Sequence, residues 1–269
     1  MTITASSILK DIEKIRKTAP LVHNITNYVV MNTTANALLA LGASPVMAHA
    51  VPEVADMTGI AGALVINIGT LSDTWIDAMF KAANKAKALG LPIVLDPVGA
   101  GATSYRTRTA RKLIQSAAPS IIRGNGSEIM ALSQQNQKTK GVDSTSASDK
   151  AIASARSLAK EFDCVVCVSG KTDYIVSRGS MIQIQNGHAM MPCVTGLGCT
   201  ATALCGAFSA INHDFDMAAA HAMAVMGISG EMAAQNAAGP GSLQVNFIDS
   251  LYQLSESHIN DFFKSQATP

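Results

Sequence analysis

Charge and aromatic residues are scarce in this 269-residue chain: Asp, Glu, Lys and Arg make up 14% and Phe, Trp and Tyr 4%, with a single Trp. Basic and acidic residues nearly balance at 20 against 19, a formal net charge of +1, and no dense Lys/Arg run occurs. That argues against a nucleic-acid or anionic-membrane partner. A bilayer-spanning run is missing as well. The most apolar stretch, residues 217–230, contains His221 and is flanked by Asp214, Asp216 and Glu231, so it reads as a buried helix. No GxxxxGK followed by Ser or Thr is present, which removes the phosphate-loop class of nucleotide enzymes. Residues 1–17 (MTITASSILKDIEKIRK) lack the basic, apolar and small-residue order of a secretory leader. Together with an odd cysteine count of 5, this sets the expectation of a reducing, cytoplasmic location.

What the chain does have is apolar bulk. Apolar residues make up 48%, enough for a sizeable core, and the expectation is one domain over residues 1–269. A surface this poor in charge in an Ala- and Met-rich chain also suits an oligomer that hides surface. Cys164 and Cys167 form a CxxC inside the strand-like run Cys164-Val165-Val166-Cys167-Val168. Residues i and i+3 of a strand point to opposite faces, and no second CxxC or His pair completes a zinc site, so these read as core cysteines.

Apolar runs of strand length alternate with helical patterns. Helices are expected over residues 6–18 (with Ser6 or Ser7 as N-cap), 27–41, 72–89, 107–117 and 148–162, with another beginning near Asn125. Strands are expected at 45–47, 63–66, 92–95, 120–122 and 164–168, with a hairpin formed by 174–177 and 181–185, and the last third mostly helical. Continuous apolar strands between helices indicate a mostly parallel sheet covered on both faces, an α/β class. The polar stretch 134–150 (QQNQKTKGVDSTSASDK) reads as a surface loop.

Polar residues collect just past the strands: Asn67-Ile68-Gly69-Thr70, Asp96-Pro97-Val98-Gly99, Arg123-Gly124-Asn125 and Ser169-Gly170-Lys171. One such end is ordinarily a turn. Several together assemble one edge of a parallel sheet, where ligands of open α/β sheets bind. The stretch Val194-Thr195-Gly196-Leu197-Gly198-Cys199-Thr200 then leads into the buried-helix pattern CTATALCGAFSAI. The amides of Gly196, Leu197 and Gly198 at a helix N-terminus form an anion hole, and the same field favours the thiolate of Cys199. Asp96 and Glu128 suit Mg²⁺, directly or through water, and Arg123 suits phosphate oxygens. Each has a plainer alternative: an Asp-Pro turn, a helix first-turn carboxylate, a surface ion pair, and for Cys199 a small helix-start residue. Gly196-Leu197-Gly198-Cys199-Thr200-Ala201 also fits the loose dinucleotide pattern GxGxxA, but helix follows helix where that unit needs a strand.

In order along the chain, PLVHNITNYVVMNTTANALLALGASPVMA, ALVINIGTLS, IVLDPVGAGAT, IIRGNGSEI, VTGLGCT and GPGS resemble the hydroxyethylthiazole kinases of thiamine salvage. The resemblance covers nearly the whole chain, and Asn125-Gly126-Ser127-Glu128 resembles the NxxE motif of ribokinase-like kinases. It implies a ribokinase-like three-layer sandwich and transfer of the ATP γ-phosphoryl group to 4-methyl-5-(2-hydroxyethyl)thiazole. By resemblance, Arg123, Ser169 and Asp96 would serve ATP, and Asp96 and Glu128 Mg²⁺. Met47 and Gly196, with Asn27 nearby, would serve the thiazole, and Cys199, whose thiol a helix N-terminus can bring toward neutrality, is the candidate general base. A homotrimer with sites between subunits is implied too. Ribokinase-like kinases usually end GxGD with Asp; Cys199 stands there, as in the thiazole kinases. A sibling kinase of a pyrimidine or pyridoxal alcohol would keep the same phosphate machinery, and a dinucleotide-binding protein is the remaining alternative.

Overall fold

The computed structural model describes residues 3–133 and 147–268. Its strands are β1 (Leu21–Ile25), β2 (Ser44–Val46), β3 (Ala63–Asn67), β4 (Ile93–Asp96), β5 (Ile121–Asn125), β6 (Val165–Ser169), β7 (Asp173–Val176), β8 (Met181–Ile184) and β9 (Ser265–Thr268). They form a nine-stranded sheet in the order β2-β1-β3-β4-β5-β6-β7-β8-β9. The neighbours from β2 to β6 are parallel, and β6 to β9 are antiparallel.

Side-chain alternation divides the core. Leu64 and Ile66, Ile93 and Leu95, Ile122, Val166 and Val168 face one apolar layer. Val65, Val94, Ile121, Val165 and Cys167 face the other. A period of two with apolar residues on both faces is what a doubly covered sheet requires. The first layer is closed by α4 (Asp73–Leu89), α5 (Ser104–Ala117), α6 (Gly126–Ser133) and α7 (Ala147–Phe162). The second is closed by α1 (Ala5–Thr18), α2 (Met31–Leu41), α8 (Leu197–Ser209), α9 (Phe215–Gln235) and α10 (Pro240–Gln253). The result is the α/β three-layer sandwich that the strand pattern predicts. Cys164 and Cys167 are buried in opposite layers, as core cysteines.

Several boundaries differ from the expectations, for local reasons. The N-cap of α1 is Thr4, which forms a reciprocal capping box with Ser7. The helix α5 starts at Ser104 because Thr103 caps it. The helix α2 starts at Met31, since residues 27–30 form a turn in which the Asn27 side chain accepts from the Val29 N–H at 3.2 Å. The strand β1, the short helices α3 (Val54–Ile60) and α11 (Glu256–Phe262) and the edge strand β9 were not foreseen. Residues 134–146 of the expected loop lie outside the described residues, and Ala147 onward belongs to α7. Among the described residues no helix is long and apolar enough to cross a membrane.

Candidate active site

Each parallel strand ends at the same edge, and the edge is polar. The strands β3 and β4 pair with Asn67 opposite Asp96, and β5 and β6 pair with Asn125 opposite Ser169. The N-terminus of α8 faces this edge. Gly196 caps it at φ +86, a left-handed conformation, and a Cβ there would meet Val30 Cγ1 at 2.6 Å. Glycine is therefore required on two independent grounds. Gly198 faces the Arg123 guanidinium so closely that a Cβ would lie 3.0 Å from Nη1.

A chain of hydrogen bonds crosses the strand ends. Asn27 Nδ2 donates to Asn67 Oδ1 at 2.9 Å and to Cys199 Sγ at 3.4 Å. Asn67 Nδ2 donates to Asp96 Oδ2 at 2.9 Å, and the Thr202 hydroxyl donates to the same oxygen at 2.7 Å. Burial pushes the Asp96 carboxyl up to about 6; Arg123 and Thr202 oppose this, and Glu128 adds to it. Glu128 accepts from the Gly99 N–H and from the Asn125 N–H, both at 2.8 Å, while Asn125 Oδ1 accepts from the Glu128 N–H at 3.0 Å. The NxxE segment is thus a reciprocal cap at the start of α6.

Arg123 is buried, donates from Nη2 to Ser169 Oγ at 2.6 Å, and leaves its Nε without a protein partner. Burial acts to lower its pKa, but Asp96 and further buried groups raise it on balance. A buried cation with an unmatched donor is suited to an anion.

Two cavities meet at these residues. The smaller, about 420 Å³, is lined by Asn27, Asp96, Glu128 and Cys199 together with Gly69 and Val98. The larger, about 550 Å³, extends toward α9 past Lys171, Met191, Met223 and Met226. Arg123, Ser169, Gly196 and Gly198 line both.

The structure therefore brings together Asn27, Asp96, Arg123, Glu128, Ser169, Gly196, Gly198 and Cys199. Leu197 lines only the larger cavity. Met47 lines neither; it follows the edge strand β2, half-buried, with its carbonyl accepting from His49 Nδ1 at 3.3 Å. One expectation is corrected outright. The Cys199 thiol is pushed up rather than down, because burial and then the Asp96 carboxylate disfavour the thiolate more than the Asn67 and Asn27 amides and Arg123 favour it. Asn67 was read only as a polar strand end with no role assigned, and Thr202 was not among the candidates. Thr202 had a weak signal: it is a polar residue one helical turn from Cys199, but Thr200 and Ser209 are buried polar residues of the same helix. The dinucleotide pattern lacks its context, since α8 leads directly to α9 with no strand between.

The fold and this edge define a class first. The architecture is that of the ribokinase-like proteins: a ribokinase-like superfamily protein from Enterococcus faecalis superposes with TM-score 0.63 at 13% identity, over 94% of this chain and 96% of that one. The pyridoxal kinase of Staphylococcus aureus superposes with TM-score 0.64 at 14% identity, over 93% and 99%. At such identities the likeness is one of fold. The family follows from closer matches. The profile of the hydroxyethylthiazole kinase family matches residues 12–257. Hydroxyethylthiazole kinase from Syntrophus aciditrophicus is 59% identical over 96% of each chain. That of Leptospira biflexa is 56% identical over 93% of this chain and 94% of its own. The structure of hydroxyethylthiazole kinase from Pyrococcus horikoshii superposes with TM-score 0.91 at 42% identity, over 98% and 100%. This chain belongs to the hydroxyethylthiazole kinase family.

Proposed function

We propose that the chain transfers the γ-phosphoryl group of ATP to the primary hydroxyl of 4-methyl-5-(2-hydroxyethyl)thiazole, releasing ADP, in thiamine salvage. The observation that carries the reading is the pair of cavities sharing Arg123, Ser169, Gly196 and Gly198, with Cys199 only in the smaller. The nucleotide takes the larger cavity, with its phosphates at the shared residues. The thiazole alcohol takes the smaller one, where Asn27, Gly196 and Cys199 face it.

The residues present fit a magnesium ion. Asp96 and Glu128 are hard oxygen donors on one cavity, and two carboxylates plus phosphates are a common Mg²⁺ set. The raised Asp96 carboxyl is what a buried acid shows before a cation compensates it. Mg²⁺, when bound, neutralises charge on the phosphate oxygens. The protein's own share is positioning. The Gly196 to Cys199 amides and Arg123 receive charge as it spreads over the transferring group, and Ser169 steers the guanidinium. The Cys199 thiolate, the minor form that rising pH populates, takes the hydroxyl proton as the new O–P bond forms and the bond to the ADP oxygen breaks.

Met47 reaches a thiazole only across a subunit boundary in this reading, which therefore includes the homotrimer. Its support is the exposed apolar pair Tyr28 and Val29 beside Asn27, at 64% and 65% exposure, with Val29 also lining the smaller cavity. A cytoplasmic location belongs to the same reading, supported by five free cysteines. The test is ADP release with Mg-ATP across a panel of thiazole, pyrimidine and pyridoxal alcohols. Turnover on the thiazole alcohol is expected, and turnover confined to another alcohol would overturn the substrate assignment.

A further inference from the structure

We propose that Arg106 is a positioning residue of the transfer site, the clasp that orients two strand-end peptide groups whose N–H ends hold Glu128 and Asn67. The inference rests on the phosphotransfer reading above. Arg106 lies in the first turn of α5, where a cation opposes the helix dipole, so its place needs another cause. Its Nη1 donates to the carbonyls of Ile68 at 2.7 Å and Val98 at 2.9 Å, and its Nη2 donates to that of Gly69 at 2.8 Å. One planar guanidinium thus joins the loop after β3 to the loop after β4. Gly99 sits at φ +75 against the side-chain stem, and a Cβ there would lie 3.1 Å from Arg106 Cδ.

The consequence lies in the far ends of the same peptide groups. The Val98 carbonyl and the Gly99 N–H share one peptide plane, and that N–H donates to Glu128 Oε1 at 2.8 Å. The Ile68 carbonyl and the Gly69 N–H share another, and that N–H donates to Asn67 Oδ1 at 2.9 Å. Asn67 in turn donates to Asp96 Oδ2 at 2.9 Å. A trans peptide points its carbonyl and N–H in opposite directions, so fixing the carbonyl fixes the aim of the donor. A cation on the carbonyl also polarises the N–H and strengthens its bond. Arg106 touches neither cavity-lining carboxylate, yet it sets the donors of one directly and of the other through Asn67. Lysine cannot replace it in kind, because a point ammonium does not present a planar fork to three carbonyls.

Arg106→Ala, Arg106→Lys and the control Tyr105→Phe separate this from general loosening. Tyr105, the neighbouring residue of α5, donates instead to Asp73 Oδ1 of α4 at 3.0 Å. The expected result for Arg106→Ala is a roughly 10- to 100-fold fall in kcat, the scale of a misplaced reacting geometry, with KM for the alcohol within about threefold of the parent. The expected result for Arg106→Lys is an intermediate fall, and for Tyr105→Phe a kcat within about twofold. Hydrogen exchange should quicken at the amides of Gly69 and Gly99 in Arg106→Ala and stay unchanged in β3 and β4. Parental kcat in Arg106→Ala or in Arg106→Lys would overturn the proposal, as would exchange that quickens throughout the sheet. If Arg106→Ala fails to fold, Arg106→Lys decides alone. Absence of turnover in the parent would overturn the phosphotransfer reading, while the exchange pattern would still report on the clasp.

Discussion

Replacing Gly198 by Ala will separate stability from catalysis. Gly198 lies in the first turn of α8, and alanine is favoured over glycine within a helix by about 0.5–1 kcal/mol. Against that gain, the new Cβ lies 3.0 Å from Arg123 Nη1, so the guanidinium must retreat by a few tenths of an ångström. Its 2.6 Å bond to Ser169 stretches, and a hydrogen bond to a charged group is worth about 1.5–3 kcal/mol when intact. Only part of that is lost, so the two terms nearly cancel. At about 2–4 °C per kcal/mol for a protein near this size, the melting temperature should move by no more than about 4 °C. Phosphate handling has no such compensation. Removing one donor aimed at developing charge costs about 10²–10³ in rate, so its displacement should cost at least about tenfold in kcat/KM for ATP. The assay is ADP release against ATP concentration beside a thermal melt. Gly179→Ala serves as control, because a Cβ there meets nothing within 4 Å. A Gly198→Ala protein with kcat/KM for ATP within about twofold of the parent would refute the placement of the phosphates beside Arg123.

Gly196→Ala should behave oppositely. It forces alanine into a left-handed conformation at φ +86 and drives its Cβ into Val30, at about 2–5 kcal/mol in total, so a melting temperature matching the parent would contradict the geometry. For Cys199→Ser, turnover should fall by at least about a hundredfold, within the 10²–10⁴ range of general bases, and a loss under tenfold would sink the base assignment. Because burial pushes the thiol up, the parent's kcat should still climb at about pH 8.5, the ordinary thiol value, and Cys199→Ser should lose that climb. His23 predicts a stability profile. It is fully buried between Ala48 O at 2.7 Å and the Thr58 hydroxyl at 3.0 Å, and burial lowers its pKa. Below the ordinary value of about 6.5 the unfolded chain therefore binds the extra proton first, so stability holds above that pH and erodes as the pH falls. Denaturant midpoints between pH 7.5 and 5.5 should fall less in His23→Gln than in the parent, and parallel profiles would exclude His23 as the cause.

The strands β3 to β6 were legible because both of their faces are buried, whereas β1, interrupted by the buried polar pair His23 and Asn24, was missed. Runs such as Ala63-Leu64-Val65-Ile66 stay apolar at every position, and the polar residue that follows each run marks its carboxyl end. That is enough to place Asp96, Arg123 and Ser169 on one edge before any coordinates are seen. The turn at residues 27–30 was misread as helix because Val29 and Val30 extend the apolar pattern of α2, whereas Val29 is exposed. The direction of the Cys199 shift was not legible either. A helix N-terminus can be read from glycine and small residues, but the burial that outweighs it comes from the assembled fold. Asn67 and Thr202 act through Asp96 and Arg106 through Ile68 and Gly69, all partners well separated in sequence. The larger cavity depends on Met223 and Met226 of α9 meeting the edge of β6, a juxtaposition that periodicity within α9 does not reveal.

The central claim is that one strand edge joins a nucleotide γ-phosphoryl group to a thiazole alcohol held beside Cys199. Mass spectrometry of the product, with ATP carrying ¹⁸O at the γ-phosphoryl oxygens, tests it most directly. The account predicts one phosphate ester of the thiazole alcohol per ADP, with labelled phosphoryl oxygens and the alcohol's own unlabelled oxygen as the bridge. ADP accompanied only by labelled inorganic phosphate, with no ester, would contradict it.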